Sequence, residues 1–514
     1  MSNKYPIGIQ TFSKIREENK LYVDKTKQVY QLTKESGYYF LARPRRFGKS
    51  LLISTLNSLY SGRRELFKGL WIEDKWDWSK KNPVIYIPFN ALDYNTLGLE
   101  NVVSDCLRQQ ITEQGLSVEG DSASKLFKNF IKASFEKTGK RVVILIDEYD
   151  KSLIDYLDDN ARFEENRMFL KSFYGIMKPS DAYLEFVLLT GVSQFSKVSI
   201  FSDLNNIQDI TLHSKFGDIV GISQEDLESY FEPELNTLSA EKGITKEEFL
   251  SQIKSWYNGY TWDLKTKLYN PFSLLLFFSN SGNFENYWFQ TGAPYFLIKE
   301  LRNRRIFQVE DVKTTATVLT SFDVQHLDST CLLFQTGYLT LKSRNERTGI
   351  YTLNYPNKEV RHSLTQYLMA SYRERSEAVL PTVVDFLDAL ESNDIPQAIL
   401  HVNTIFSTIP AELWQKENEH FYHALIHLTF VLLGAYVQSE VNSSNGRCDA
   451  VLQTDEYIYA FEFKLDKTSE QALQQIEDKG YLKPYAASPK TKIAVGVNFS
   501  KENKCVESYL TKIY

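Results

Sequence analysis

Short apolar runs and helix-like segments alternate along the first 220 residues. The apolar runs cover Gly37–Ala42, Val84–Phe89, Val142–Ile146 and Glu185–Thr190, and leucines recur at helical spacing from Ser50 to Leu59. The third run, VVILI, is continuous and mostly β-branched, which is typical of a strand buried on both faces. Strands separated by helices form βαβ units, so we predict an α/β domain with a parallel sheet and helices on both faces.

The pattern becomes helical beyond about residue 220. Ser223 and Thr245 each precede acidic residues, which predicts a helix start at both positions. Further along, the apolar groups Leu332–Phe334, Tyr338–Leu341 and Tyr351–Leu353 predict a small β element. This middle region is expected to combine helices with that β element.

The last part of the chain has two patterns, helical over about 376–434 and mixed α/β over about 435–514. We therefore predict an α/β multidomain protein with parts at 1–220, 221–375 and 376–514. The core of the last part is expected at about 415–514.

Composition limits the classes that this chain can belong to. It has 514 residues, is 43% hydrophobic and 24% charged, and carries a net charge of −6. These values are typical of a globular protein. Because the chain is not basic, its overall charge does not indicate nucleic-acid binding, although it does not exclude a local basic site. The four cysteines form no CxxC pair, and we found neither a signal-peptide pattern nor a membrane-length apolar run. We expect a cytoplasmic protein without a membrane partner.

A glycine–lysine–serine motif opens the first long helix. Gly48, Lys49 and Ser50 follow the first predicted strand, as the phosphate-binding pattern GxxxxGK[ST] requires. Gly48 lets backbone N–H groups curve around phosphates, Lys49 reaches the β- and γ-phosphates, and Ser50 offers its hydroxyl to Mg²⁺. The alternative is an ordinary helix start.

Arginines surround this motif. Arg45 and Arg46 add positive charge beside the expected phosphates, and Arg43 occupies the place of the first glycine of the pattern. The helix N-terminus contributes its dipole to the same site.

Two carboxylates follow the third predicted strand. Asp147 is expected to hold Mg²⁺ through water, and Glu148 to orient the attacking water as a general base. A polar residue at the end of the fourth strand, Thr190 or Ser193, is expected to sense the γ-phosphate. The alternative for the acidic pair is a helix N-cap. The ordered motifs predict ATP and Mg²⁺ binding; hydrolysis also requires an arginine that the sequence does not identify.

A second constellation lies near the C-terminus, where residues 446–464 predict two strands joined by a turn at Thr454–Glu456. With a two-residue loop, the register places Asp449 opposite Glu462, and Lys464 shares the face of Glu462. The three side chains then converge, whereas a one-residue slip would separate them.

The chemistry of this trio is that of phosphodiester hydrolysis. Asp449 and Glu462 can hold Mg²⁺ through oxygen, and the metal polarises the phosphodiester and acidifies its water. Lys464 can orient that water or stabilise the charged phosphate. The alternative is an ordinary strand face, on which such alternation is common.

A helix predicted from Ser469 to Lys479 follows this hairpin. Gln475 on it, with Tyr481 beyond it, either contacts a nucleic-acid backbone or belongs to a solvated face. Residues 440–514 contain ten Lys or Arg and eleven Asp or Glu, so their net charge adds no support for nucleic-acid binding.

Other catalytic patterns are weaker. His423 and His427 have the i, i+4 spacing of two zinc ligands, but no HExxH motif accompanies them. An amphipathic helix explains their spacing, and no GxSxG motif indicates serine catalysis.

Together these motifs resemble bacterial AAA-ATPase-like proteins that carry a C-terminal PD-(D/E)xK nuclease domain, a family described as common in Bacteroidetes. The matching segments are YVDKT (22–26), RPRRFGKS (43–50), VVILIDEYDK (142–151), YNGY (257–260), YNPFS (269–273), QTGYLT (335–340), YPNKEV (355–360), EHFYH (419–423), GRCD (446–449) and EFK (462–464). Arg43 is the family's own form of the loop. Cys448 stands where the literal pattern has proline, which leaves the metal role of Asp449 intact.

The resemblance implies a P-loop ATPase, a helical and winged-helix-like middle, and a restriction-endonuclease-like α/β C-terminal domain. ATP and Mg²⁺ are the implied cofactors, DNA is the implied partner, and a homo-oligomer is compatible with the family. The leading hypothesis is an ATP-controlled, Mg²⁺-dependent nuclease related by analogy to defence or mobile elements. The alternatives are an ATP-driven switch whose nuclease-like domain binds without cutting, and a nucleotide-sensing scaffold without nucleic acid.

Overall fold

The computed structural model describes residues 4–193, 200–201, 204, 206–288, 297–298, 301, 304, 309–320, 328–371, 379–407, 425–431, 438–444 and 447–514, with side chains described outside 379–381 and 438–449. These residues form two compact units. The first unit comprises 1–288 with 310–357, and the second comprises 289–309 with 358–514. The division at 220 and 375 stays a prediction.

The first unit is built from helices and short strands. Its helices are α1 (Phe12–Glu17), α2 (Thr26–Thr33), α3 (Lys49–Tyr60), α4 (Tyr94–Leu97), α5 (Leu99–Glu113), α6 (Ala123–Thr138), α7 (Lys151–Ile154), α8 (Asn160–Gly175), α9 (Gln224–Tyr230), α10 (Glu232–Glu241), α11 (Lys246–Tyr257), α12 (Pro271–Ser279), α13 (Ala316–Thr320) and α14 (Ser329–Thr336). Its strands are β1 (Gly37–Ala42), β2 (Val84–Pro88), β3 (Val142–Asp147), β4 (Leu184–Gly191), β5 (Ile207–Asp209), β6 (Ile222–Ser223), β7 (Asn258–Tyr260), β8 (Leu268–Tyr269), β9 (Val312–Thr314), β10 (Thr340–Arg344) and β11 (Tyr351–Asn354).

The main sheet of this unit is parallel, as predicted. Its order is β2-β3-β4-β1-β5, and every residue of β3 is buried. Because the strands are parallel, the carboxyl ends of β1, β3 and β4 lie at one edge of the sheet. The loop after β1 and the carboxylates after β3 therefore meet at this edge, with the end of β4 between them.

Both predicted helix starts in the middle region are confirmed. The Ser223 hydroxyl accepts from the backbone N–H of Asp226, whose carboxylate accepts from the Ser223 N–H, and Thr245 and Glu248 form the same capping box. Each box satisfies backbone N–H groups that a helix start would otherwise leave without a partner.

The predicted small β element is partly wrong. Leu332–Phe334 lie in α14, because the Asp328 carboxylate caps that helix by accepting from the Thr330 and Cys331 N–H groups at 2.7 and 3.1 Å. Gly337 then ends it at φ 90°. The other two groups supply β10 and β11, which form an antiparallel sheet in the order β10-β11-β9. The chain order β9-α13-α14-β10-β11 is winged-helix-like.

The second unit contains a mixed sheet. Its helices are α15 (Lys358–Ser371), α16 (Val379–Glu391), α17 (Ile395–Ser407) and α18 (Ser469–Lys479), and its strands are β12 (Gln438–Ser444), β13 (Arg447–Gln453), β14 (Tyr457–Leu465), β15 (Thr491–Ser500) and β16 (Cys505–Ile513). The sheet order is β12-β13-β14-β15-β16, with β14 and β15 parallel and the other neighbours antiparallel. The crossover between the parallel strands contains α18.

Close packing of α18 on β15 depends on Gly496. A Cβ atom at this position would lie 2.5 Å from the Leu473 nitrogen and 2.6 Å from the Ser469 oxygen. Both atoms belong to the backbone and cannot rotate away, so any side chain here must displace the helix.

We expect Gly496→Ala to destabilise the protein by about 1–3 kcal/mol, because the added methyl group overpacks the contact between helix and sheet. The measurement is urea unfolding monitored by circular dichroism. Gln474→Ala, an exposed position on the same helix, is the control and should change stability by less than about 0.5 kcal/mol. Equal stabilities of Gly496→Ala and wild type would contradict the packing described.

None of the helices within the described ranges is both long and apolar enough to cross a bilayer.

Candidate functional sites

The loop after β1 has the geometry of a phosphate cradle. Gly48 adopts φ 96°, a left-handed conformation that glycine tolerates, and α3 begins at the next residue. The buried Lys49 ammonium donates to the carbonyl oxygens of Arg43 and Pro44 at 2.9 and 3.0 Å. Ser50 is half-buried in the first turn of α3. These positions agree with a loop whose lysine can exchange its carbonyl partners for phosphate oxygens.

Lys49 lies near charged groups of both signs. Burial lowers its pKa, while the nearby carboxylates of Glu148, Asp147 and Asp150 oppose that shift. The same interactions couple the phosphate loop after β1 to the acidic end of β3. An anion with a bound cation would suit this arrangement, because each charge would gain a partner.

Arg43 has a structural position at the start of the loop. It is 1% exposed, its guanidinium donates to the carbonyl oxygens of Ala42, Thr211 and Phe216, and it stacks on Trp262 at 4.2 Å. Burial lowers the pKa of Arg43 to about 9. The residue that departs from the glycine pattern thus fixes the loop to the segments around it.

We expect Arg43→Gly, which restores the literal pattern, to destabilise the protein by about 3 kcal/mol. The change removes charged hydrogen bonds and leaves buried carbonyl groups without donors. Thermal unfolding by calorimetry measures the effect, and the exposed Arg45→Gly is the control. A stable Arg43→Gly variant with improved nucleotide binding would contradict this role.

Arg45 and Arg46 are both exposed. Arg45 contributes to the electrostatics of Lys49 and Glu148, so its charge is close to the site. Arg46 has φ 71°, and its guanidinium lies over the Phe272 ring at 4.7 Å. Their predicted contact with phosphates stays a prediction.

A hydrogen bond between side chains joins the end of β3 to the end of β4. The Thr190 hydroxyl donates to Asp147 Oδ1 at 2.6 Å, and both residues are fully buried. In the part of the chain that the structure describes, the buried Asp147 Oδ2 has no hydrogen-bond partner. A buried carboxylate oxygen of this kind fits a role in holding hydrated Mg²⁺.

Glu148 follows at the edge of this site. Its backbone adopts φ 53°, which is uncommon for a residue with a side chain and typical of functional sites. Burial raises the pKa of Glu148, and the positive charge of Lys49 opposes the shift. A general base benefits from such a shift toward neutral pH.

Sequence reasoning missed Asp150 as a member of this site. Its carboxylate is 1% exposed, and Oδ2 accepts from the Val192 N–H, the Ser193 N–H and the Ser193 hydroxyl at 3.0, 2.6 and 2.6 Å. Ser193 is therefore bonded to Asp150, whereas Thr190 is bonded to Asp147. The repeated carboxylate in the DEYD segment was the available signal.

An apolar cleft beside the phosphate loop was also missed. It lies against Gly48 and the first turns of α3, and Lys25 at its margin forms an ion pair with Asp226 at 2.6 Å. The signal was the YVDKT segment, which supplies part of one wall. The lining residues are Pro6, Leu21, Tyr22, Val23, Lys25, Val29, Phe47, Gly48, Leu51, Leu52, Thr55, Ile219, Val220, Gly221, Ile222, Pro271 and Leu275.

In the second unit, the predicted register of the hairpin is confirmed. Asp449 on β13 pairs with Glu462 on β14. Glu462 is fully buried, and the Lys464 ammonium donates to its Oε1 at 2.6 Å. Glu462 and Lys464 therefore lie on one face of the sheet, and Asp449 occupies the position directly opposite Glu462.

Gln475 belongs to this site and not to a solvated face. Its Oε1 accepts from Lys464 at 2.5 Å, and in the described ranges its buried Nε2 has no hydrogen-bond partner. Tyr481 is half-buried and packs against a cluster of Ala460, Ile476 and Ala494. Contact of either residue with nucleic acid stays a prediction, and Gly446 lies outside the described residues.

The predicted spacing of His423 and His427 can be followed at His427 alone. His423 lies outside the described residues, and burial, aided by the charge of Arg361, lowers the pKa of His427 to about 4. Among the described residues, no group of three or more His, Cys, Asp or Glu side chains could hold a metal ion.

Comparisons with known proteins match two regions of the chain to family models. Residues 6–201 match a family model described as "Predicted AAA-ATPase", and residues 417–509 match the PD-(D/E)XK nuclease superfamily. The chain is 38% identical over 526 residues to a protein of Azotobacter chroococcum mcd 1 named "Uncharacterized protein in vnfD 5'region", and the match covers 99% of each chain. The chain therefore belongs to the family of AAA-ATPase-like proteins that carry a C-terminal PD-(D/E)XK nuclease domain.

Proposed function

We propose that this protein binds and hydrolyses ATP and uses a Mg²⁺-dependent nuclease domain to cut DNA under nucleotide control. The observation that carries the proposal is the site at β13 and β14, where Asp449 opposes Glu462 and Lys464 contacts both Glu462 and Gln475. A role in defence or mobile elements and a cytoplasmic location are proposed by analogy.

In the ATPase site, each group has one task. Lys49 would bind the β- and γ-phosphates, and Ser50 with Asp147 would hold Mg²⁺, which supplies charge stabilisation. Thr190 orients Asp147 through its hydroxyl, and Glu148 would take a proton from the attacking water. The apolar cleft beside Gly48 is suited to the nucleoside part of ATP, because its lining is mostly aliphatic.

In the nuclease site, Asp449 and Glu462 would hold Mg²⁺, which would supply Lewis acidity and an acidified water. Lys464 would contribute a positive charge where the phosphodiester gains negative charge. Gln475 holds the Lys464 ammonium in place, because its Oε1 accepts a hydrogen bond from one of the three N–H groups of Lys464. Gln475 is thus a positioning residue in this proposal.

Metal titration tests the proposal directly. Calorimetry with Mg²⁺ and with Mn²⁺, in the absence of nucleotide, is expected to show a binding event that Asp449→Ala removes and Asp455→Ala, in the adjacent turn, retains. Equal binding by wild type and Asp449→Ala would oppose the proposal and favour a nuclease-like domain that binds without cutting.

A further inference from the structure

Basic side chains cluster at the edge of the main sheet opposite the phosphate loop. Arg63 and Arg64 follow α3, Lys80 and Lys81 precede β2, and Lys140 with Arg141 precede β3. We call these six residues the basic edge. They lie at the amino ends of the strands, and a strand of five or six residues places them about 17–20 Å from the phosphate loop.

Direct contacts join the three segments that carry the basic edge. The Asn82 N–H donates to the Tyr60 oxygen at the end of α3, and its side-chain amide donates to the Arg141 oxygen at 2.9 Å. The Lys81 stem lies against Gly62, where a Cβ atom would be 2.7 Å from Lys81 Cγ. The three segments that carry the arginines and lysines therefore meet.

Carboxylates balance only part of this charge. Arg63 pairs with Glu17 and Glu65 at 3.0 and 3.1 Å, Glu65 is also near Lys81, and Asp77 is near Lys80 and Lys140. The six cations of the edge thus outnumber the carboxylates near them, which are Glu17, Glu65, Asp77 and, beside Tyr60 at the start of β4, Glu185.

Most of the cations are available to a partner. Arg64, Lys80, Lys81, Lys140 and Arg141 are exposed, and within the described ranges none of them makes a salt bridge within 4.0 Å. Helix C-termini attract cations, which accounts for Arg63 after α3. Lys80 and Lys81 follow no long helix, so this explanation does not cover them.

We propose that the basic edge binds the phosphate backbone of duplex DNA and holds it on the ATPase unit, separately from the ATP site. The choice of DNA as the bound polyanion rests on the proposed function. Unpaired cations that neutralise phosphates release counterions and bind without reading sequence. The segments forming the edge are polar, which suits phosphate contacts better than insertion into a lipid surface.

The test is fluorescence anisotropy of a labelled 30-base-pair duplex, measured on the full chain with Ca²⁺ replacing Mg²⁺. The variant carries Lys80→Glu, Lys81→Glu, Lys140→Glu and Arg141→Glu. The control variant has the same charge change at exposed positions elsewhere, Lys27→Glu, Lys128→Glu, Lys254→Glu and Lys265→Glu. Thermal unfolding verifies that both variants fold.

We expect the basic-edge variant to bind on the order of 100-fold more weakly, and the slope of log K against log salt to fall by about 3–4. The control should bind within about threefold of wild type. Unchanged affinity and slope in the basic-edge variant, or equal losses in both variants, would each overturn the proposal.

Failure of this proposal can be separated from failure of the proposed nuclease. The anisotropy experiment requires no cleavage, and Lys464→Ala should leave the basic-edge contribution intact. A basic-edge variant that loses DNA binding supports the inference even if the wild-type chain cuts nothing.

Discussion

Replacing Lys464 with alanine is expected to lower the rate of Mg²⁺-dependent DNA cleavage by about 10²–10³-fold. The variant removes the cation that lies 2.6 Å from Glu462 Oε1 and 2.5 Å from Gln475 Oε1. A charge placed where a transition state becomes negative contributes several kcal/mol in a site that is shielded from water. Single-turnover cleavage of a labelled duplex measures the rate without interference from product release.

Lys479→Ala is the matched control for this prediction. Lys479 is exposed in the last turn of α18, the helix that also carries Gln475. It should cleave within about twofold of wild type. Calorimetric metal binding retained by Lys464→Ala would locate the loss in the chemical step, whereas equal cleavage by Lys464→Ala and wild type would contradict the assigned role.

Replacing Glu148 with glutamine is expected to lower the kcat of ATP hydrolysis by about 10²–10⁴-fold, the usual contribution of a general base. ATP affinity should change only a few-fold, because Lys49, Ser50 and Asp147 remain. A coupled assay of phosphate release measures the rate, and a fluorescent ATP analogue measures affinity. Glu165→Gln, the same change at an exposed position of α8, is the control.

Glu148→Gln is also expected to be more stable than wild type by an amount that depends on pH. Burial raises the folded-state pKa of Glu148 above its unfolded value, so its ionised form costs stability above the folded pKa. That cost vanishes as the pH falls below the unfolded pKa of about 4.3. Glu148→Gln should therefore be more stable than wild type at pH 7–8 and lose this advantage toward pH 4. A constant difference across this range would contradict burial as the cause.

The sequence alone predicted those parts of the two sites that are formed by residues close together in the chain. Gly48, Lys49 and Ser50 occupy consecutive positions at a helix start, and Asp147 ends a continuous apolar strand, so position along the chain defines their place in a parallel sheet. The hairpin register followed from the two-residue loop at 455–456, which leaves one pairing that opposes Asp449 and Glu462. Alternation of faces then placed Lys464 beside Glu462.

Other features depend on contacts between segments that are distant in sequence. The apolar run Leu332–Phe334 is compatible with strand or helix, and the Asp328 cap decided for helix. Arg43 acts through Thr211, Phe216 and Trp262, which no local pattern connects to it. The bond between Asp150 and Ser193 likewise joins the segment after β3 to the segment after β4. Gln475 could be assigned only once the close packing at Gly496 brought α18 to the sheet.

One measurement tests the central claim most directly. Purified wild-type protein is incubated with supercoiled plasmid and Mg²⁺, with and without ATP, beside Lys49→Ala and Lys464→Ala. We predict cleavage by wild type that changes at least several-fold on addition of ATP, cleavage without ATP response by Lys49→Ala, and no cleavage by Lys464→Ala. Cleavage by Lys464→Ala at the wild-type rate, or no cleavage by wild type under any of these conditions, would contradict the account.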